Sequence, residues 1–163
     1  MSAAVLAIRS AEESDLPAVY RIEASSFADP WSLQSFKSTM ALERMRFLVV
    51  EESVDAPEGG RAGEPQLLGY VIAIVLSDEA EIADLAVAPV ARRRGIGGML
   101  LDRIVAESIE RGVRTLYLDV RESNVGARAL YESRQFVPVG RRRGYYRSPS
   151  EDALLLKREL APS

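Results

Sequence analysis

Residues 85–98 read LAVAPVARRRGIGG, and this stretch constrains the architecture more strongly than any other. An apolar run ends at Pro89, and a basic turn with three glycines then opens an amphipathic helix. The start of a helix offers unpaired backbone N–H groups and the positive end of the helix dipole. Glycines let a ligand approach the backbone closely, and arginines supply forked donors that suit phosphate. The stretch therefore predicts a strand, a turn that can hold a pyrophosphate, and a helix.

The spacing of these glycines differs from two common nucleotide-binding motifs. It does not match the G-x-G-x-x-G of dinucleotide folds, and no Lys-Ser or Lys-Thr follows as in a P-loop. The pattern Arg92-x-x-Gly95-x-Gly97 resembles the acetyl-CoA-binding signature of the GCN5-related N-acetyltransferase superfamily. Taken alone, the same residues are equally compatible with a glycine-rich helix start beside a solvated arginine run. The rest of the chain distinguishes these two interpretations.

Composition restricts the chemistry. The chain has 163 residues, of which 47% are hydrophobic and 28% charged, as expected for one globular domain spanning residues 1–163. It contains neither cysteine nor histidine, which excludes a thioacyl-enzyme, a Ser-His-Asp triad and a Cys-His pair. A metal site is not expected without these ligands. Any acid–base chemistry must use Asp, Glu, Tyr, Lys or a terminus, and group transfer most simply passes directly from donor to acceptor.

Composition also bears on partners and compartment. No apolar run approaches the roughly 18 residues of a membrane helix, so no membrane association is expected. No secretion signal is evident at the start of the chain, and the absence of cysteine fits the cytoplasm. The net charge of −3 gives no general reason to expect nucleic-acid binding.

Hydrophobic periodicity predicts one mixed sheet with helices against its faces. Strands are predicted near residues 6–8, 47–50, 67–76, 81–87, 115–120, 136–139 and 153–156. Helices are predicted after caps at Ser14 or Asp15, at Ser32, at Gly95 and at Asn124. Residues 53–65 contain two prolines and three glycines, which predicts a mobile loop rather than a domain boundary.

Three further segments narrow the resemblance to the RimI family, the ribosomal-protein-alanine N-acetyltransferases. Residues 27–32 (FADPWS) resemble the turn between the first two helices of that family. Residues 118–124 (LDVRESN), followed by 129–133 (ALYES), resemble its catalytic strand and helix. Residues 142–146 (RRGYY) resemble its substrate-side hairpin. The resemblance extends from about residue 8 to residue 160 and implies the acyl-CoA N-acyltransferase fold. That fold is of the α/β class. Its mixed sheet is mostly antiparallel, as in α+β proteins, and contains one pair of parallel strands that splay apart. About four helices accompany the sheet.

The resemblance implies acetyl-CoA as co-substrate, lying where the two parallel strands separate. The resemblance assigns the backbone contacts to its pantetheine arm to Leu85, Ala86 and Val87. The residues assigned to the pyrophosphate are Arg92, Arg93, Arg94, Gly95, Ile96, Gly97 and Gly98. Asn124 is assigned a contact further along the cofactor, although asparagine is also a good helix cap.

Transfer of an acyl group from a thioester to an amine needs a neutral amine and a donor for the oxyanion, and benefits from an acid at the leaving thiolate. By resemblance, Tyr131 is the general acid. Asp119 occupies the position where the best-known members carry a glutamate as general base. Aspartate is shorter by about 1.5 Å, so Asp119 acts directly, through one water, or only by orienting other groups. Glu79 and Glu81 on the neighbouring strand are alternatives for holding that water or the acceptor amine.

Two aromatic residues are candidates for the acceptor groove. Trp31 either lines this groove or anchors its own turn. Adjacent tyrosines of a strand face opposite sides, so only one of Tyr145 and Tyr146 faces the substrate, and Tyr145 is the candidate. The resemblance implies acetylation of the N-terminal α-amine of a small-subunit ribosomal protein that starts with alanine. The alternatives are acetylation of a small-molecule amine or lysine side chain, and a non-catalytic acyl-CoA-binding module.

Overall fold

The computed structural model describes residues 4–54, 63–147 and 149–160. The strands are β1 (Ala4–Ser10), β2 (Met45–Val54), β3 (Gln66–Leu76), β4 (Glu79–Val87), β5 (Thr115–Arg121), β6 (Val137–Arg147) and β7 (Ser150–Glu159). They form one seven-stranded sheet in the order β1-β2-β3-β4-β5-β7-β6. All described pairs are antiparallel except β4–β5, which is parallel. The predicted fold class is therefore confirmed.

Four α-helices of the described residues pack on this sheet. They are α1 (Leu16–Ser26), α2 (Leu33–Met40), α3 (Ile96–Glu110) and α4 (Val125–Ser133). Even α3, at 15 residues, falls short of a membrane span, and no helix in the described ranges has the length and apolar character to cross a bilayer.

The core lies on both faces of the central strand β3. On one face, the ring of Phe36 from α2 meets the rings of Phe47 at 6.2 Å and Tyr70 at 5.9 Å. Such aromatic pairs contribute roughly 0.5–1.5 kcal/mol each beyond the area that they bury. On the other face, Gly69 leaves room for Ile96 and Leu100 of α3. Because side chains alternate along a strand, β3 is buried on both sides, as its long apolar run predicts.

Two of the predicted helix caps form as expected. The Ser32 hydroxyl accepts a hydrogen bond from Ser35 N at 3.0 Å, and Asn124 Oδ1 accepts one from Ala127 N at 3.1 Å. At α1, Asp15 is the N-cap residue, one of the two predicted alternatives, but its side chain makes no capping hydrogen bond to the helix. The Asp15 carboxylate turns back to Glu12 N and to the Arg9 guanidinium, both at 2.7 Å.

The last two strands are longer than their sequence signals. Strand β6 is exposed almost throughout and carries arginines and two glycines, so it lacks the alternation that marks a strand. Its backbone pairing with β7 defines it as a strand, although its side-chain pattern does not indicate one. Of the predicted loop 53–65, β2 takes the first two residues, and 55–62 lie outside the described part of the chain.

Candidate active site

A gap opens in the sheet where β4 and β5 separate. The two strands pair over four positions, which end at Ile82 and Leu118. Ala83 is an extra residue in β4, because Ile82 and Asp84 pair with consecutive residues of β3. A bulge of this kind bends its strand and increases the local twist. Residues 83–87 therefore leave the ladder with β5 and can offer backbone groups to a ligand.

A cavity of about 190 Å³ occupies this gap. A cavity needs roughly 10–15 Å³ of such volume to hold one water molecule, so this cavity can hold a small organic group. Among the predicted site residues, those that line it are Trp31, Leu85, Asp119, Asn124 and Tyr131. They come from the α1–α2 turn, β4, β5 and α4, and the fold brings them to one place.

Tyr131 lies on α4, two turns after the Asn124 cap. Its side chain is buried and packs on Phe136, with the ring centroids 5.9 Å apart. Burial and, to a smaller degree, the carboxyl group of Asp84 raise the pKa of Tyr131 above its ordinary value. The phenol is therefore neutral over the physiological pH range and can donate a proton rather than accept one.

Asp119 projects from β5 with only 12% of its side chain exposed. Arg142 Nε donates to its Oδ1 at 3.0 Å, which engages one of the two carboxylate oxygens. Glu81 lies on the same face, and desolvation together with the charge of Asp119 raises the pKa of Glu81. Glu79, at the start of β4, is exposed and does not line the cavity. Of the two alternative carboxylates, Glu81 is the one that the structure brings near Asp119.

A buried polar cluster beneath the cavity was not predicted from the sequence. Glu23 of α1 is 1% exposed and accepts hydrogen bonds from the Tyr70 hydroxyl and from Trp31 N, the latter at 2.9 Å. Asp84 of β4 is also buried, and its carboxyl group is hydrogen-bonded to Glu23. One signal was available, since Glu23 follows Leu16 by seven residues and stands on the buried stripe of α1.

Within this cluster, burial changes the ionisation of Asp84. Burial, with the hydrogen bond to Glu23 and its charge, raises the pKa of Asp84 to about 9. Asp84 is therefore protonated at neutral pH and can donate in the hydrogen bond that it shares with Glu23. Nowhere in the described ranges do three or more Asp or Glu side chains form a group that could hold a metal ion.

One side of the cavity is bounded by the α1–α2 turn and the β6–β7 hairpin. The groove between these two segments corresponds to the predicted acceptor groove, and we call it by that name. Trp31 lines the cavity, and its ring packs on that of Phe36 with the ring centroids 5.2 Å apart. The structure places Tyr146, not the predicted Tyr145, against the cavity. Tyr145 is 53% exposed, whereas burial raises the pKa of Tyr146 to about 12.

The turn before α3 has the backbone form that anion binding requires. Gly95 is the N-cap of α3 with φ +78°, so the N–H groups of the first helical turn are unpaired within the helix. The arginine side chains beside it have separate partners: Arg94 pairs with Glu52, and Arg92 lies 3.4 Å from the Ser26 hydroxyl. The backbone amides are therefore the fixed element of this turn.

Comparison with known proteins agrees with this arrangement. The model of the Acetyltransferase (GNAT) family matches residues 16–136, which is most of the chain. The chain therefore belongs to the GNAT family of acetyltransferases.

Several relatives indicate a narrower class of acetyltransferase within this family. The chain is 36% identical to the [ribosomal protein bS18]-alanine N-acetyltransferase of Escherichia coli (strain K12) over 151 residues, 91% of this chain and 94% of the relative. It is 37% identical over 145 residues to the Salmonella typhimurium protein of the same name, covering 88% of this chain and 90% of that protein. The crystal structure of the Escherichia coli ribosomal-protein-S18-alanine N-acetyltransferase superposes with a TM-score of 0.82 at 35% identity, covering 98% of this chain and 96% of that one. The resemblance to the RimI family is confirmed.

A more distant structure agrees in fold alone. Arabidopsis thaliana NAA60 in complex with acetyl-CoA has a TM-score of 0.80 at 22% identity, covering 96% of this chain and 99% of that one.

Proposed function

We propose that this chain transfers the acetyl group of acetyl-CoA to the N-terminal α-amine of an alanine-starting ribosomal protein. The observation that carries the proposal is the meeting of Asp119, Tyr131 and Trp31 in one cavity where the parallel strands part. The similarity to bS18-alanine N-acetyltransferases over nearly their whole length supports this acceptor. Such an acceptor also favours the cytoplasm as the compartment.

The chemistry divides between the two sides of the cavity. The amine nitrogen attacks the thioester carbon, the C–S bond breaks, and the ammonium proton must leave. Asp119 on β5 takes that proton directly or through one water, because its carboxylate lines the acceptor side. Tyr131 on α4, held neutral by burial, gives its proton to the departing sulfur. The chain has no cysteine, so transfer proceeds without a thioacyl-enzyme.

The shorter base suits an α-amine better than a lysine. An α-amine has a pKa of roughly 7.7–8.0, against about 10.4 for lysine. A useful fraction of the α-amine is already neutral near pH 7, so a base that acts through water suffices.

Replacing Asp119 with asparagine is expected to lower kcat/KM for an alanine peptide by about 10²-fold at pH 7. The loss shrinks above pH 8, because the acceptor then deprotonates without help. Steady-state rates from pH 6.5 to 9 measure this, with Glu159→Gln as control for an exposed β7 carboxylate paired with Lys157. A loss that stays constant over the whole pH range contradicts the role of base.

Replacing Gly95 with alanine is expected to raise the KM for acetyl-CoA several-fold and to destabilise the fold by about 1 kcal/mol, because φ +78° strains an L residue at the pyrophosphate turn. Gly112, with φ +80° beyond the far end of α3, is the matched control. Gly112→Ala is expected to cost similar stability and leave that KM unchanged. Equal KM values for both variants contradict cofactor binding at Gly95.

The proposal as a whole is tested by thiol release from acetyl-CoA with a short alanine-starting peptide, followed by mass spectrometry. The N-acetylated peptide is the control acceptor. We expect one acetyl group on the free α-amine. If small amines or lysine side chains are acetylated and the α-amine is not, the acceptor belongs to one of those two classes instead. Binding of CoA with thermal stabilisation and no thiol release assigns a non-catalytic module.

A further inference from the structure

One side chain joins the two walls of the acceptor groove. Arg121, the last residue of β5, donates from Nη2 to Asp29 Oδ2 at 3.0 Å, in the α1–α2 turn. From Nη1 it donates to Glu151 Oε1 and to the Pro149 carbonyl, both at 3.1 Å, in the β6–β7 hairpin. Its guanidinium carbon lies 4.1 Å from the centre of the Tyr146 ring. The site as described so far assigns Arg121 no role.

The segments that this guanidinium joins are those that shape the cavity. Trp31 lines it from the α1–α2 turn, and Tyr146 lines it from the hairpin. Glu151 extends the network, because its other carboxylate oxygen accepts a hydrogen bond from Ser123 N at 2.6 Å. Ser123 directly precedes the Asn124 cap of α4. The α1–α2 turn, the β6–β7 hairpin and the turn before α4 thus share one partly buried hub.

The chemistry of the hub requires arginine. Only 15% of the Arg121 side chain is exposed, so its charge-assisted hydrogen bonds are partly shielded from water and salt. The planar fork reaches two carboxylates in different directions while its face stacks on a ring. A lysine at this position supplies one point charge and neither the fork nor the stacking face.

We propose that Arg121 is a positioning residue that sets the separation of the two groove walls and thereby the affinity for the acceptor N-terminus. This rests on the proposed function, because the groove is the assigned acceptor site. Arg121 takes no part in proton transfer, so its loss raises the KM for the peptide and leaves kcat and the KM for acetyl-CoA nearly unchanged.

The experiment has two readouts. Trp31 is the only tryptophan of the chain, so its fluorescence reports the α1–α2 wall without any acceptor. Arg121→Gln is expected to shift Trp31 emission to the red, to increase its quenching by acrylamide, and to raise the peptide KM about tenfold. Arg46→Gln is the matched control, since Arg46 is a half-buried arginine that pairs with Glu107 away from the cavity. It is expected to leave both readouts unchanged.

Further variants guard against a general loss of folding. Arg121→Lys, which keeps the charge, is expected to give an intermediate peptide KM, and Asp29→Asn is expected to shift Trp31 emission as Arg121→Gln does. Unchanged Trp31 emission in Arg121→Gln overturns the proposal, and so does a shift that leaves the peptide KM unaltered. If the native protein acetylates no peptide N-terminus, the proposed function fails, whereas Trp31 emission still tests whether Arg121 fixes the wall.

Discussion

Replacing Tyr131 with phenylalanine is expected to lower kcat by about 10²-fold while leaving the KM for acetyl-CoA nearly unchanged. Phenylalanine keeps the ring that packs on Phe136, so the helix and the cavity wall persist. Only the hydroxyl is lost, and with it the proton that we propose Tyr131 gives to the leaving sulfur. A thiol has a pKa of about 8.5, so the thiolate can also depart without an acid, and some activity remains.

The pH dependence of the rate tests the proposed acid, Tyr131, separately from the proposed base, Asp119. Because burial raises the pKa of Tyr131, the native enzyme is expected to keep full activity on the alkaline side of neutrality. Rates of thiol release from pH 6.5 to 9 measure this for the native chain and for Tyr131→Phe. Tyr20→Phe serves as control, since Tyr20 is 38% exposed on α1. A kcat for Tyr131→Phe equal to that of this control shows that the thiolate leaves unaided.

The features that the sequence predicted are those with local causes. The glycine turn at Gly95 and the Ser32 and Asn124 caps depend on residues a few positions apart, and each was visible as a pattern. The long apolar run of β3 likewise marks a strand buried on both faces. The prediction that Asp119 and Tyr131 share one site came from the family resemblance. No short-range sequence pattern indicates that a residue of β5 and a residue of α4 line the same cavity.

The orientation of Asp84 could not be predicted, because it depends on the bulge at Ala83. Strict alternation puts Glu81 and Asp84 on opposite faces, since they are three residues apart. In the structure they face the same side, as their β3 partners Ile74 and Ile72 do. No glycine marks this bulge. The same limit explains Tyr145, since the β6–β7 register shifts just before Tyr146 and decides which tyrosine faces the cavity.

Replacing Asp84 with asparagine is expected to stabilise the fold, and increasingly so as the pH rises. The pKa of Asp84 is raised in the folded chain to about 9, from an ordinary value of 3.8. At a pH below its ordinary pKa, the Asp84 carboxyl is protonated in both the folded and the unfolded chain, so its pKa shift leaves the stability unchanged. Between the two values only the unfolded chain ionises, so the native protein loses stability as the pH rises, at roughly 1.4 kcal/mol per pH unit. Above pH 9 both states ionise and the loss is complete.

Asparagine removes this penalty and keeps the contacts, because its amide donates to Glu23 and its carbonyl accepts from Leu85 N, as the protonated carboxyl does. The free energy of unfolding in urea at pH 5, 6.5 and 8 measures the effect, and the variant is expected to gain roughly 2 kcal/mol on the native chain between the first two values. Asp102→Asn is the control, since the Asp102 side chain is 61% exposed and its ion pair contributes little. Stability curves that stay parallel for Asp84→Asn mean that Asp84 is ionised when folded.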